Sequence, residues 1–281
     1  MNTTEYLSKW AISYKDDIIN NIMPFWMKYG LDREHGGVYT CVNRDGSLMD
    51  TTKSVWFQGR FGFIAAYAYN NIEKNPQWLA ASKSCIDFIE AHCFDTDGHM
   101  FFEVTEDGKP LRKRRYVFSE GFAAIAMAEY ALATGEKEYA KKALDIFKRT
   151  LHFLNTPGFL EPKYLPTLPS RGHSITMILI NTASRIRMVI DDPSLTEQID
   201  TSIAALRKYF IHPEFKALLE MVGPDGEFID TCNGRVINPG HCIETAWFIM
   251  EEAKYRNWDK DLLQLALQIL DWSWEWGWDK E

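Results

Sequence analysis

The chain has 281 residues, 46 % of them apolar and 25 % charged, enough to build one large core or two modest ones. A formal charge of −8 argues against nucleic acid and against a polybasic membrane contact, and no stretch approaches the roughly 20 apolar residues of a membrane-spanning helix. The five cysteines (41, 85, 93, 232 and 242) lack metal-ligand spacing, and the N-terminus has neither a basic n-region nor an apolar h-region; reduced thiols and a cytoplasmic protein are expected.

Residues 3–28 place Tyr6, Trp10, Ile18, Ile22, Phe25 and Trp26 at helical spacing, with Pro24 expected to kink the last turns. Gly30 ends that helix, and His35-Gly36-Gly37 leads into a short strand, VYTCVNRDG, with an Arg-Asp-Gly turn. Residues 53–73 carry bulky groups on most faces and predict a helix buried all round; Pro76 opens a more polar helix over 76–93. A hairpin is expected over 95–108, an Ala-rich buried helix over 119–134 and a polar helix over 136–154. Residues 156–169 hold four prolines and read as irregular. Helices follow at 173–190 and 194–210, then a third hairpin over 224–236, an apolar helix at 239–255 and a final helix at 259–276.

That order repeats. Each unit has a glycine-marked turn, a buried helix and a more polar helix, and the markers Gly36, Gly98, Gly158 and Gly226 are 62, 60 and 68 residues apart. Paired inner and outer helices describe an all-α fold, an α/α toroid with short β-hairpins between the helix pairs; an open solenoid is the alternative. The last five residues, Gly277-Trp278-Asp279-Lys280-Glu281, follow the pattern of Gly30-Leu31-Asp32-Arg33-Glu34. A single domain spanning 1–281 and incomplete at its C-terminus is expected, with about four and a half repeats present and roughly 90–120 residues missing from six helix pairs.

Polar groups on the inner helices mark a candidate pocket. Arg60, Glu120, His173 and His241 fall early in successive inner helices, which a toroid would bring toward one mouth. Arg60 and Glu120 would equally suit a structural ion pair, and His173 beside Arg171 a satisfied structural histidine. The densest stretch is Asn238-Pro239-Gly240-His241-Cys242-Ile243-Glu244. Asn238 suits an N-cap and Pro239 a first turn, which sets His241 within that turn and Glu244 on the same face. The positive helix end disfavours imidazolium, so His241 is expected to be neutral and suited to general-base work.

Val55-Trp56-Phe57-Gln58-Gly59-Arg60, Phe118-Ser119-Glu120-Gly121-Phe122 and the Asn-Pro-Gly-His-x-x-Glu-x-x-Trp stretch ending at Trp247 resemble the N-acylglucosamine 2-epimerase family over nearly the whole chain. The resemblance implies an (α/α)6 barrel and interconversion of N-acetylglucosamine with N-acetylmannosamine, through two histidines on opposite faces of the sugar. His241 falls on the first. The second lies in the last repeats of relatives, and no histidine follows His241 here, so impaired turnover is expected. The chemistry is ring opening, removal of the C2 proton and its return to the other face. In that scheme His241 is the base, Glu244 orients it and Arg60 holds the oxyanion on O1. Trp56, Glu120, Lys163 and His173 line the sugar site, Lys163 because Glu161-Pro162-Lys163-Tyr164 resembles a substrate-contact segment of the family; Trp247 better suits the core.

No metal or other cofactor is needed, the partner is a small amino sugar, and a homodimer is compatible with the sequence. An aldose–ketose isomerase or a cellobiose-type 2-epimerase would share the ring and the base. A sugar- or protein-binding toroid without turnover is the reading from a different class.

Overall fold

The computed structural model describes residues 2–113 and 116–279. Its contacts group into two compact units, Met1–Pro157 and Gly158–Glu281, each taken by itself below. Lys280 and Glu281, the last two positions of the C-terminal pattern, lie outside the described residues, as do Arg114 and Arg115.

In the first unit a helix begins at once. Asn2 caps α1 (Thr3–Asp17): its side chain accepts from the Glu5 N–H while the Glu5 carboxylate accepts from the Asn2 N–H. Pro24 has no N–H to return to the preceding turn, and Ile18–Ile22 widens into a π turn in which the Met23 N–H reaches back to Ile18 O. Helix α2 (Met23–Tyr29) then continues, so the expected kink takes the form of a change of register. No residue of α1 is buried, whereas Met23 packs with Ala68 and Trp78. The apolar stripe read over 3–28 docks only through its second half.

Strands β1 (Cys41–Val42) and β2 (Leu48–Asp50) pair around the Arg44-Asp45-Gly46 turn, as expected. β3 (Lys53–Ser54) leads into α3 (Val55–Asn71), followed by α4 (Pro76–His92), β4 (Phe101–Val104), β5 (Pro110–Lys113), α5 (Phe118–Thr134) and α6 (Lys137–Asn155). β3, β4 and β5 form one antiparallel sheet, so the hairpin read over 95–108 extends to residue 113 and takes in exposed Arg112 and Lys113. Helices α3 and α5 pack backbone to backbone: a Cβ on Gly59 would lie 2.6 Å from the Phe122 carbonyl carbon. Because small residues (Gly59, Gly62, Ala65, Ala66) make that contact, bulky Phe57 and Ile64 are turned outward, 46 % and 48 % exposed. The expectation that α3 is buried all round is thereby corrected; α5, buried from Ser119 to Ala131, does fit it.

The second unit contains β6 (Arg171–Gly172), α7 (His173–Arg187), α8 (Pro193–Ala205) with a π turn at Leu206–Phe210, β7 (Ile211–His212), β8 (Ala217–Leu218), β9 (Met221–Val222), α9 (Pro239–Tyr255) and α10 (Lys260–Gly277). The hairpin expected over 224–236 does not form. Turns there consume the backbone groups, with the Arg235 N–H on Thr231 O and the Gly234 N–H on Thr231 Oγ1, while β9 pairs instead with β6. Buried Glu252 on α9 accepts from Arg187 of α7 at 2.5 Å and from Arg256 at 2.6 Å, tying the helices together.

All four marker glycines adopt left-handed backbone, φ between 77° and 91°. At Gly226 the demand is doubled, since a Cβ would also meet the Tyr209 backbone at 3.0 Å. Six tryptophans face outward: Trp10, Trp247, Trp258, Trp274, Trp276 and Trp278 are 38–60 % exposed.

Candidate active site

Two short strand pairings and one helix cap build a polar cluster in the second unit. Antiparallel β6 and β9 put Gly172 opposite Met221, and the His173 N–H at the start of α7 donates to Glu220 O at 3.0 Å. Asn238 caps α9 as expected, accepting from the His241 N–H at 3.3 Å, with Pro239 in the first turn. His241 Nδ1 then lies 2.9 Å from Glu220 Oε2. His173 Nδ1 lies 3.7 Å from the same oxygen.

The hydrogen-bond network sets the tautomers. A carboxylate only accepts, so His241 carries its proton on Nδ1 and leaves Nε2 as a lone pair. The Thr245 hydroxyl donates to His241 O at 2.8 Å, so it accepts from His173 Nε2 at 2.9 Å. His173 Nδ1 is therefore a lone pair, buried and without a hydrogen-bond partner, facing Glu220. His173 is wholly buried with Phe210 against its ring, while the side chains of Glu220 and His241 are 22 % and 34 % exposed.

The electrostatics follow. Burial pushes the Glu220 carboxyl up, but the His241 Nδ1–H that it accepts outweighs burial and holds the group below the ordinary carboxylate range. Glu220 raises His241 above its ordinary value against a smaller opposing effect of burial. The positive helix end was expected to favour neutral imidazole; a carboxylate in hydrogen-bond contact is the stronger influence and makes His241 a better base. Burial lowers His173, with Glu220 offsetting only part of it.

The remaining expected residues fall as follows. Glu244 acts on both histidines through space, but the hydrogen-bond partner of His241 is Glu220, a residue the sequence reading passed over. Lys163, exposed in the irregular segment, has its Nζ over the Tyr164 ring and opposes protonation of His241 through space. In the first unit, Trp56 packs among Phe102, Phe118 and Phe122 at centroid distances of 5.2–5.7 Å. Arg60 is exposed, with its guanidinium 4.4 Å from the Phe122 ring centre.

Glu120 is buried and accepts from His99 Nδ1 at 2.5 Å and from the Met100 N–H at 2.7 Å. Among the described residues Arg60 and Glu120 make no ion pair. His99 is held against that carboxylate with its side chain 12 % exposed. His212 is buried, at 8 %, with Glu214 on its Nδ1. Trp247, assigned to the core, is 44 % exposed.

A family model described as N-acylglucosamine 2-epimerase matches residues 37–281. The N-acylglucosamine 2-epimerase of Rattus norvegicus is 29 % identical over 272 residues, covering 94 % of this chain and 64 % of the rat protein. That of Mus musculus is 28 % identical over 290 residues, 99 % of this chain and 68 % of the mouse protein. The chain thus spans about two thirds of the length of these curated relatives. Among solved structures, cellobiose 2-epimerase from Bacillus thermoamylovorans superposes with a TM-score of 0.82 at 20 % identity, covering 95 % of this chain and 72 % of the other. That likeness gives the fold class, helix pairs of the α/α toroid type with small strand pieces between them.

Proposed function

The chain belongs to the N-acylglucosamine 2-epimerase family, and from that premise we propose that it acts on the C2 proton of an N-acylated amino sugar, N-acetylglucosamine or N-acetylmannosamine. One observation carries the reading: the Nδ1–H of His241 is fixed on Glu220, which leaves Nε2 as a basic lone pair at the half-exposed edge of the cluster. In the open-chain sugar the C1 aldehyde acidifies the C2 proton. His241 Nε2 removes it, the electron pair moves to O1 as an enolate, and return of a proton to C2 from the opposite face gives the epimer. Glu220 stabilises the imidazolium formed, and Glu244 adds to that through space. Arg60 is assigned to the O1 oxyanion on the chemistry of its planar guanidinium and the resemblance of its motif. Trp56, Glu120, Lys163 and His173 are assigned to the sugar site on the same resemblance.

Both N-acylglucosamine 2-epimerases named above align over 94 % or more of the chain, which favours the N-acyl sugar over a disaccharide. The test is proton NMR of N-acetylmannosamine with this chain in D2O. Loss of the C2 proton signal supports deprotonation, and appearance of N-acetylglucosamine supports inversion. A C2 signal that persists, with exchange seen instead on cellobiose or with none on either sugar, sinks the proposal.

A further inference from the structure

The cluster holds more negative and lone-pair character than a single base requires. His173 Nδ1 is buried without a hydrogen-bond partner and lies 3.7 Å from Glu220 Oε2, the oxygen that His241 Nδ1 also approaches. A buried lone pair facing a carboxylate is unfavourable unless a cation lies between them. The three candidate donor atoms, one from each of His173, Glu220 and His241, lie within 4.8 Å of one another. The separations from Glu220 Oε2, 2.9 Å to His241 and 3.7 Å to His173, bracket the edge of a tetrahedron. That edge is about 3.4 Å for metal–ligand bonds of about 2.1 Å.

The surroundings suit a metal as well. His173 donates its other ring N–H to Thr245, the outer hydrogen bond that fixes the orientation of a ligating imidazole. The three donors come from the start of α7, the β8–β9 link and the start of α9, so the backbone pairings already described hold them in place. Two nitrogens and one carboxylate oxygen suit borderline divalent ions of the zinc class, with a fourth position open on the half-exposed side.

We propose that His173, Glu220 and His241 form a binding site for one zinc-class divalent cation, which competes with catalysis rather than supporting it. The inhibitory part rests on the assignment of His241 as base. Metal bound at His241 Nδ1 displaces the proton held there, and the neutral ring then carries its proton on Nε2. The lone pair that would take the C2 proton is gone, with no bond made or broken in the sugar.

The first experiment is titration of the full chain with Co2+ alone, followed by its visible spectrum, with Zn2+ as displacing ion. One equivalent giving tetrahedral d–d bands without a thiolate charge-transfer band, displaced by Zn2+, is expected. Glu220→Gln and His241→Ala, checked for unchanged helical circular dichroism, should each abolish the bands. No bands, bands retained in both variants, or a thiolate band implicating the cysteines would each overturn the site. In the C2 exchange assay, Zn2+ should abolish the activity of the native chain in parallel with site occupancy. Metal bound without inhibition keeps the site and removes His241 Nε2 as the base. Absence of metal binding with normal exchange removes the site and leaves the base standing.

Discussion

Lys53 Nζ donates to Asp32 Oδ2 at 2.6 Å, with the two side chains at 0 % and 1 % exposure. The ammonium spends its other two donors on Gly36 O and Glu106 O, both at 2.8 Å, and lies 4.2 Å from the Phe88 ring centre. One fully satisfied cation therefore ties the 32–37 turn to β3 and to the β4–β5 turn. Removing it strands a buried carboxylate. Lys53→Met should cost about 3–5 kcal/mol in urea unfolding, and adding Asp32→Asn should recover part of that. A loss within experimental error would show that the network is not structural.

The same pair sets an acid dependence. Burial pushes the Asp32 carboxyl up; Lys53 and the His35 and Glu34 N–H groups outweigh it and hold the group below its ordinary 3.8. A carboxyl depressed in the folded state adds stability above its unfolded value, and that increment is lost as pH falls through the folded one. Urea midpoints followed from about pH 5 to about pH 2.5 should therefore drop more steeply for the native chain than for Asp32→Asn. Parallel curves would contradict the assignment.

Much of the helical frame was legible because its punctuation is local. Asn75 with Pro76, Asp192 with Pro193 and Asn238 with Pro239 each start a helix at the residue expected or one away, and each side chain caps a backbone N–H. His241 was legible for the same reason, being the residue whose N–H reaches the cap. Glu220 was not. It lies 21 residues before His241 in a segment with no hydrophobic period, and two-residue strand pairings deliver it. Lys53 was hidden similarly, since its three partners come from two turns that only the fold brings together.

His241→Ala should abolish C2 exchange while leaving the helical signal intact, because the Asn238 cap takes the backbone N–H of residue 241 and not its ring. Glu220→Gln keeps the shape but removes the charge that stabilises the imidazolium. Its kcat should fall on the order of 10²-fold with KM nearly unchanged. A change confined to KM would instead make Glu220 a sugar contact.

Arg60→Lys retains charge but loses the planar fork. If the guanidinium holds O1, kcat for exchange should fall on the order of 10²–10³-fold. Stability should barely move, because the side chain is exposed and lies over the Phe122 face. An unchanged rate would withdraw Arg60 from the mechanism.

The outward placement of indoles decides which spectroscopic probe is informative. Of the ten tryptophans, the six named above are 38–60 % exposed, and Trp78, at 3 %, is the buried one among the described residues. Native emission should already be red-shifted, dominated by wet indoles and by the Trp274–Trp278 stack at 4.7 Å. Fluorescence will then change little on denaturation and will understate cooperativity. A Trp78→Phe variant would remove most of whatever blue-edge signal the core supplies, so melting of this chain is better followed through its helices than through its fluorophores.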